Sequence, residues 1–460
     1  MKLPHNTDTI VAMATGAGDA GIGIIRMSGD KALAIADALF VAANGKKASS
    51  FKTYTVHFGW VKDSNEIIDE VLVTVMRAPR SYTREDVVEI NTHGGIIAMR
   101  RVLELALARG CRLAEPGEFT KRAFLNGRID LAQAEAVLDI MRAQSDAALR
   151  VSMGQLEGAL SSEISAIRNT ILEALAPLEA MIDFPDEEIG AVETRQARLL
   201  VRQASERLSR LLKTTSYGAV LRQGLHVVIC GCPNVGKSSL LNALVRRERS
   251  IVTSVAGTTR DTIEEIIDIR GIPVRIVDTA GILAPRNLVE KKAVHRAKHQ
   301  IAMADLVLLI FDGSRPLRLS DRLLIKTCRK KSVCAVVNKI DLRQRIDTQY
   351  LVKHFGSCIA LSARKGKHIN LLEDAIAERV LQGTVVAGES VVVTNARHGA
   401  ILRKTQKCIA ESLVSLDNNL SLEFVTQDLK ESVRSLDQLL GKEFSEDLLE
   451  RIFGDFCIGK

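Results

Sequence analysis

Apolar positions along the chain change their spacing three times. Up to about Arg112, short β-rich runs such as Val71-Leu72-Val73-Thr74-Val75 and Val87-Val88-Glu89-Ile90 alternate with helical stretches such as Ile96 to Arg109, which predicts a compact α+β domain. From about Phe119 to Lys213 the apolar residues recur at intervals of three and four, as in Leu131, Ala134, Val137, Leu138 and Met141. That spacing puts them on one face of a helix. Between about Gly218 and Gln382 the β–α alternation returns, and from Ser390 onward the four-residue pairs Leu436 and Leu440, then Leu448 and Ile452, restore a helical period.

The predicted fold is multidomain α/β: an α+β N-terminal domain (1–118), a helical domain in two parts (119–217 and 384–460), and an inserted domain with a doubly wound, mostly parallel sheet (218–383). Two independent helical bundles would give the same pattern. A length of 460 residues with 46% hydrophobic content leaves room for about three cores. The eight cysteines, at 111, 230, 232, 328, 334, 358, 408 and 457, form no CxxC pair or Cys/His grouping suited to zinc and read as reduced thiols. With no signal-like N-terminus and no apolar run of membrane-spanning length, the expected location is cytoplasmic, with no membrane partner. A net charge of +8 favours a polyanionic partner, and is also common on solvated surfaces. The basic residues Arg246, Arg247, Arg329, Lys330 and Lys331 allow both readings.

The apolar run Val227-Val228-Ile229-Cys230 leads into Gly231-Cys232-Pro233-Asn234-Val235-Gly236-Lys237-Ser238, a GxxxxGK[ST] match between a strand and a helical pattern that continues from Ser239. This is the context a phosphate-binding loop requires. Its backbone N–H groups and the positive end of the next helix surround phosphates. Lys237 would reach the outer phosphates and Ser238 would hold magnesium. Asp278-Thr279-Ala280-Gly281 follows the strand-like run 274–277, so Asp278 can hold magnesium through water and Gly281 can offer its N–H to a terminal phosphate. Asn338-Lys339-Ile340-Asp341 follows the strand 333–337, and Asp341 can accept from the ring N–H and amino group of guanine, which adenine cannot supply. Ser362-Ala363 would offer backbone N–H to the guanine oxygen. GTP is the expected nucleotide.

Gly257-Thr258-Thr259-Arg260-Asp261 lies between the first two motifs, where Thr259 is a candidate magnesium ligand present only with the terminal phosphate. Ile282 follows Gly281 in place of the usual water-orienting glutamine. Hydrolysis must then be organised by other groups, such as a monovalent cation held by Asn234 or a downstream carboxylate.

The run 231–242, with Ala256-Gly-Thr-Thr-Arg-Asp261 and Asp278-Thr-Ala-Gly281, resembles the bacterial translation-related GTPases. Three further stretches narrow this: Gly21-Ile-Gly-Ile-Ile-Arg-Met-Ser-Gly29, the run from Pro116 to Ala136, and the terminal Phe456-Cys-Ile-Gly-Lys460. Together they resemble the MnmE (TrmE) tRNA modification GTPase family over essentially the whole chain. The resemblance implies a homodimer formed through an N-terminal domain that binds a tetrahydrofolate derivative (5-formyl- or methylene-tetrahydrofolate). It implies an FAD-dependent partner, MnmG (GidA), and modification of carbon 5 of the wobble uridine of certain tRNAs. It also implies GTPase domains that pair across potassium. On the matching positions Asn234, Thr253, Val255 and Thr258 would surround K+, Ser238 and Thr259 would bind Mg2+, and Ser239, Ser254, Ala256, Gly257, Thr279 and Ala280 would line the nucleotide. Glu290, twelve residues after Asp278, would orient water. Arg26, Glu89 and Arg128 match folate positions, and Cys457 and Lys460 match a C-terminal ending placed near the modification site. Two positions depart from the family: Arg128 stands where lysine is common, and Leu283 where an arginine is usual.

A ribosome-assembly GTPase that binds RNA without covalent chemistry is the alternative. Such proteins commonly carry a second G domain or a C-terminal RNA-binding module with a GxxG loop, and this chain has neither. A metal-transport GTPase would need membrane helices.

Overall fold

The computed structural model describes residues 8–16, 18, 20–184, 191–247, 264–278, 299–381 and 391–460. By contact the chain divides into two compact units, one of residues 1–138 with 437–460 and one of residues 139–436. Residues 119–138 and 437–460 thereby group with the N-terminal sheet.

The first unit is built on a seven-stranded sheet in the order β3-β4-β5-β6-β2-β1-β7. Its strands are β1 (Ile10–Met13), β2 (Ala20–Ser28), β3 (Phe40–Ala42), β4 (Thr55–Asp63), β5 (Glu66–Met76), β6 (Val87–Gly94) and β7 (Arg112–Leu113). All neighbours are antiparallel except β1 and β7. Alternation decides the two faces. Ile25, Met27, Val73, Val75, Val88 and Ile90 point inward to a core closed by α1 (Ala32–Leu39) and α2 (Ile96–Ala108). On the other face Val41, Phe58 and Leu72 are exposed, and the cross-strand register aligns Arg26, Glu89, Thr74 and Val56 in one row.

Helix α3 (Glu118–Leu125), the start of α4 (Leu131–Arg142) and the last helix (Glu446–Gly454) share a small core in which Phe124, Leu131, Leu449, Phe453 and Phe456 are buried. Gly117 makes this approach possible. Its φ of +67° is left-handed, and a Cβ there would stand 2.8 Å from the Phe453 carbonyl.

The second unit contains the helices α5 (Asp146–Leu156), α6 (Ala159–Asp183), α7 (Ala191–Lys213), 396–417 and most of 422–440, together with an α/β domain attached beside α5, α7 and 396–417. That domain has a six-stranded sheet in the order β13-β12-β11-β8-β10-β9, with strands β8 (Leu225–Gly231), β9 (Glu264–Ile269), β10 (Ile272–Asp278), β11 (Leu306–Asp312), β12 (Val333–Asn338) and β13 (Cys358–Ala360). Every pair is parallel except β9 with β10, as the sequence pattern predicts. All seven residues of β11 and all six of β12 are buried, which explains their continuous apolar runs.

The two connections to the α/β domain run side by side. Helix α8 (Thr215–Gln223) leads into β8, and the returning chain passes it at Val392–Asn395. Val393 N–H donates to Thr214 Oγ1 at 3.0 Å, and a Cβ on Gly218 would stand 2.1 Å from the Val393 carbonyl oxygen. A buried polar cluster fixes the joint. Arg222 Nε donates to Asp139 at 2.8 Å, Thr394 Oγ1 donates to Asp139 at 3.2 Å, and Gln155 donates to the Val392 carbonyl at 2.7 Å.

Candidate functional site

Three segments that lie far apart in sequence meet at the carboxyl edge of the parallel sheet: the loop after β8, the segment after β12 and the turn after β13. This is the edge where α/β sheets bind ligands. The loop 231–236 carries three residues of positive φ, Gly231, Asn234 and Gly236, and then enters α9 (Lys237–Arg247). Asn234 adopts φ +63°, a conformation that asparagine tolerates better than most residues. The buried Lys237 ammonium folds back over the loop and donates to the carbonyls of Gly231 and Cys232, both at 3.2 Å. Ser238 and Ser239 are exposed on the first turn of α9.

Asn338 and Lys339 tie the loops together. Asn338 Nδ2 donates to the Val235 carbonyl at 2.8 Å, while its Oδ1 accepts from the N–H of Lys339 at 2.8 Å and of Ala363 at 3.0 Å. Lys339, itself at φ +68°, donates through Nζ to the Asn234 carbonyl at 2.8 Å and to Asp312 at 2.6 Å. Asp341 stands next to Ser362, whose hydroxyl donates to it at 2.6 Å. That hydrogen bond holds the Asp341 carboxyl below its ordinary range, so it is an ionised acceptor at neutral pH. The arrangement is a cradle of backbone and lysine donors beside a carboxylate acceptor.

The backbone of Asp278 ends β10 in register with Ile229, so the third motif also reaches this edge. The predicted residues Thr253, Ser254, Val255, Ala256, Gly257, Thr258, Thr259, Thr279, Ala280, Gly281 and Glu290 lie outside the described residues.

The second group of predicted residues meets on the outer face of the N-terminal sheet. Arg26 Nε donates to Glu89 at 2.7 Å, and Arg26 Nη1 donates to the Gly459 carbonyl at 3.1 Å. The guanidinium of Arg26 stands 5.7 Å from the Tyr82 ring centroid and that of Arg128 4.6 Å from it. The chain's last residues are bonded into the same place. Gly117 N–H donates to the Cys457 carbonyl at 3.4 Å and Phe119 N–H donates to the Lys460 carbonyl at 3.2 Å. Gly459, at φ +96°, leaves so little room that a Cβ would fall 2.3 Å from the Met13 carbonyl oxygen. Arg26, Glu89, Arg128, Tyr82 and the terminal segment therefore form one cluster, with the Cys457 side chain exposed beside it.

Sequence reasoning missed Asp312 and Tyr82. Asp312 had a usable signal, since it ends a buried apolar run just as Asp278 and Asn338 do. Tyr82 had none. All eight cysteines are free thiols, and burial pushes Cys111, Cys328 and Cys334 up to about 11. Among the described residues no group of three or more His, Cys, Asp or Glu is placed to hold a metal, and no helix is long and apolar enough to cross a membrane.

The sequence model of the MnmE helical domain matches residues 131–457, and that of the GTP-binding protein TrmE N-terminus matches residues 9–128. The chain belongs to the MnmE family of tRNA modification GTPases. It is 45% identical to the tRNA modification GTPase MnmE of Geobacillus thermodenitrificans over 98% of this chain and 99% of that one. Identity is 44% to the MnmE of Clostridioides difficile, over 98% and 99% of the two chains, and 43% to that of Bacillus subtilis, over 98% and 100%. Among solved structures it is similar to a point variant of Aquifex aeolicus Era bound to GDP·AlF4−, with 27% identity over 40% of this chain and 65% of that one and a TM-score of 0.29. As an MnmE-family chain it is a GTP-hydrolysing enzyme of tRNA modification.

Proposed function

We propose that the chain hydrolyses GTP in the cradle at the carboxyl edge of its parallel sheet. With an FAD-dependent MnmG (GidA) partner it would use that cycle to modify carbon 5 of the wobble uridine of certain tRNAs, by aminomethyl or carboxymethylaminomethyl addition with a tetrahydrofolate one-carbon unit, in the cytoplasm. The observation that carries the reading is the pair of clamps from Asn338 and Lys339 onto Val235 and Asn234, which brings a base-reading loop against a phosphate loop.

In this reading the N–H groups of residues 234–239 and the helix dipole of α9 hold the phosphates, and Lys237 turns from its loop carbonyls to the outer phosphate oxygens. Asp341 accepts from the guanine ring, and the Ala363 N–H side of the turn faces its oxygen. Ser238 and Thr259 would hold Mg2+, with Asp278 a further carboxylate for it. Ser238, an exposed residue on the first turn of α9, fits that role. Asn234, Thr253, Val255 and Thr258 hold K+. Asn234, exposed in a left-handed turn, is a fitting oxygen donor. When bound, the cation supplies positive charge where phosphoryl transfer develops negative charge. Glu290 orients the attacking water.

A homodimer through the first unit is supported by its uncovered apolar sheet face, where Val41, Val56, Phe58 and Leu72 are each more than 40% exposed. The Arg26–Glu89 pair beside Tyr82 and Arg128 fits a folate, since a carboxylate suits pterin N–H donors and arginines suit a glutamyl tail. Cys457 would act near that site.

The test is the GTP turnover rate of the full chain in potassium chloride against sodium chloride at equal ionic strength, for the native sequence and Asn234→Ala. A rise in potassium that Asn234→Ala loses supports the cation-dependent reading. Equal rates in both salts would sink it and leave hydrolysis to be organised without a monovalent cation.

A further inference from the structure

Behind the nucleotide cradle a line of charges, two buried carboxylates and two partly buried cations, joins the phosphate loop to the base-reading loop by a second route. Lys339 donates to Asp312 Oδ2 at 2.6 Å. Asp312, at the end of β11, lies 3.9 Å from Arg315 Nε, and Arg315 Nη1 donates to Asp321 Oδ2 at 3.0 Å. Asp321, on the helix Leu319–Cys328, is 2% exposed and also accepts from the Arg318 N–H at 2.9 Å. Its other oxygen, Oδ1, accepts from the thiol of Cys232 at 2.9 Å, and Ser320 Oγ lies 3.3 Å from the same sulfur. Cys232 is the second residue of the phosphate loop, and its carbonyl accepts from Lys237.

This line costs desolvation at each buried carboxylate, and a hydrophobic residue at 321 would avoid that cost. Cys232 and Asp321 are 89 residues apart, so their bond fixes the loop's first turn against a different element.

We propose that Arg315 and Asp321 are positioning residues for guanine-nucleotide affinity, forming an ionic brace that sets the Cys232 turn of the phosphate loop against Lys339 of the base-reading loop. The inference rests on assigning residues 231–238 and 338–341 to the nucleotide site. The brace holds the cradle in the geometry that nucleotide needs, so its contribution falls on ground-state binding and leaves the hydrolytic step unchanged.

The experiment measures the dissociation constant of fluorescent mant-GDP, and KM and kcat for GTP, on the full chain. Cys232→Val and Arg315→Met should each weaken GDP binding about three- to thirtyfold, the range expected when a buried charged acceptor loses one donor. KM should rise in step, with kcat within about twofold of the native value. Cys232→Ser retains a donor to Asp321 and should restore affinity. The double variant should lose less than the product of the two single losses, because both act through Asp321. If Arg315→Met does not fold, Cys232→Ser against Cys232→Ala carries the same comparison, since they differ only in the hydroxyl. Unchanged GDP affinity in Cys232→Val, a fall in kcat at constant KM, no recovery in Cys232→Ser, or full additivity would each overturn the brace. Lys237→Ala separates the two levels. If it too leaves GDP binding intact, the site assignment fails; if it abolishes binding while the brace variants do not alter it, only the brace fails.

Discussion

Asn338 donates its side-chain amide to the Val235 carbonyl at 2.8 Å, across 103 residues of sequence. The same side chain accepts from Ala363 N–H through its oxygen, so one buried amide fastens the loops after β8, β12 and β13. Neither group of the amide can be replaced by water without opening the junction, because Asn338 is only 3% exposed.

Asn338→Asp keeps the shape but sets a carboxylate oxygen against the Val235 carbonyl. A buried acceptor facing an acceptor costs about 1–3 kcal/mol, so mant-GDP affinity should fall by about tenfold or more. Native-like affinity in this variant would mean that the clamp contributes nothing to the site.

Gly236 has φ +98°, and a Cβ on it would stand 2.3 Å from Asn338 Nδ2. Gly236→Ala should therefore strain the backbone and push Asn338 off Val235 together. GTP hydrolysis should be lost, while far-ultraviolet circular dichroism and the unfolding of the N-terminal unit stay near native. The steady-state rate at saturating GTP is the check.

Asp341 accepts from the Ser362 hydroxyl and is held ionised by it. Asp341→Asn replaces an acceptor by a donor, so GTP turnover should fall and xanthosine triphosphate, which presents an oxygen there, should become the better substrate. The ratio of kcat/KM for the two nucleotides should invert. A uniform fall for both would remove Asp341 from base reading.

The N-terminal unit contains a buried arginine, Arg122, paired with Asp8 at 2.7 Å, Glu118 at 3.0 Å and Glu85 at 3.3 Å. Burial alone would raise the carboxyls of Asp8 and Glu118, but hydrogen bonds from Arg112 and Arg122 outweigh it and both lie below their ordinary values of 3.8 and 4.5. Depressed carboxyls contribute stability that is present above their unfolded values and lost as pH falls through the folded ones. Stability should thus decline below pH 4.5, and Glu118→Gln should flatten that decline in denaturant melts. Arg122→Met leaves Glu85 without an arginine partner and Asp8 and Glu118 with Arg112 alone, and should cost about 3–5 kcal/mol at neutral pH.

The meeting of Gly231 to Ser238 with Asn338 to Asp341 at one sheet edge was legible in sequence, because each segment has a fixed set of residue types directly after a buried strand of the same parallel sheet. The sheet was legible for a related reason: β11 and β12 are buried on both faces, so their apolar runs are unbroken. Arg315 and Asp321 were illegible because each acts through a partner brought near by tertiary packing, and an acidic or basic residue beside or on a helix has the same local pattern when it merely faces solvent. Cys232 looked like one of eight scattered thiols until Asp321 was placed beside it. The anchoring of Gly459 and Lys460 against Arg26 and Phe119 likewise has no local signature, since it depends on which glycine lets two backbones approach.

The paired connections at Thr214 and Val393 bear on how such a chain could have arisen. Because the two strands of the joint are hydrogen bonded to each other, everything from 215 to 391 leaves and rejoins the helical scaffold at nearly one point. For the scaffold this is topologically equivalent to a short surface loop, so gaining or losing the whole module need not reroute any helix. The scaffold and its guest could have had separate ancestries, and a gene in which a few glycines and serines bridge that gap should still encode a folded helical host.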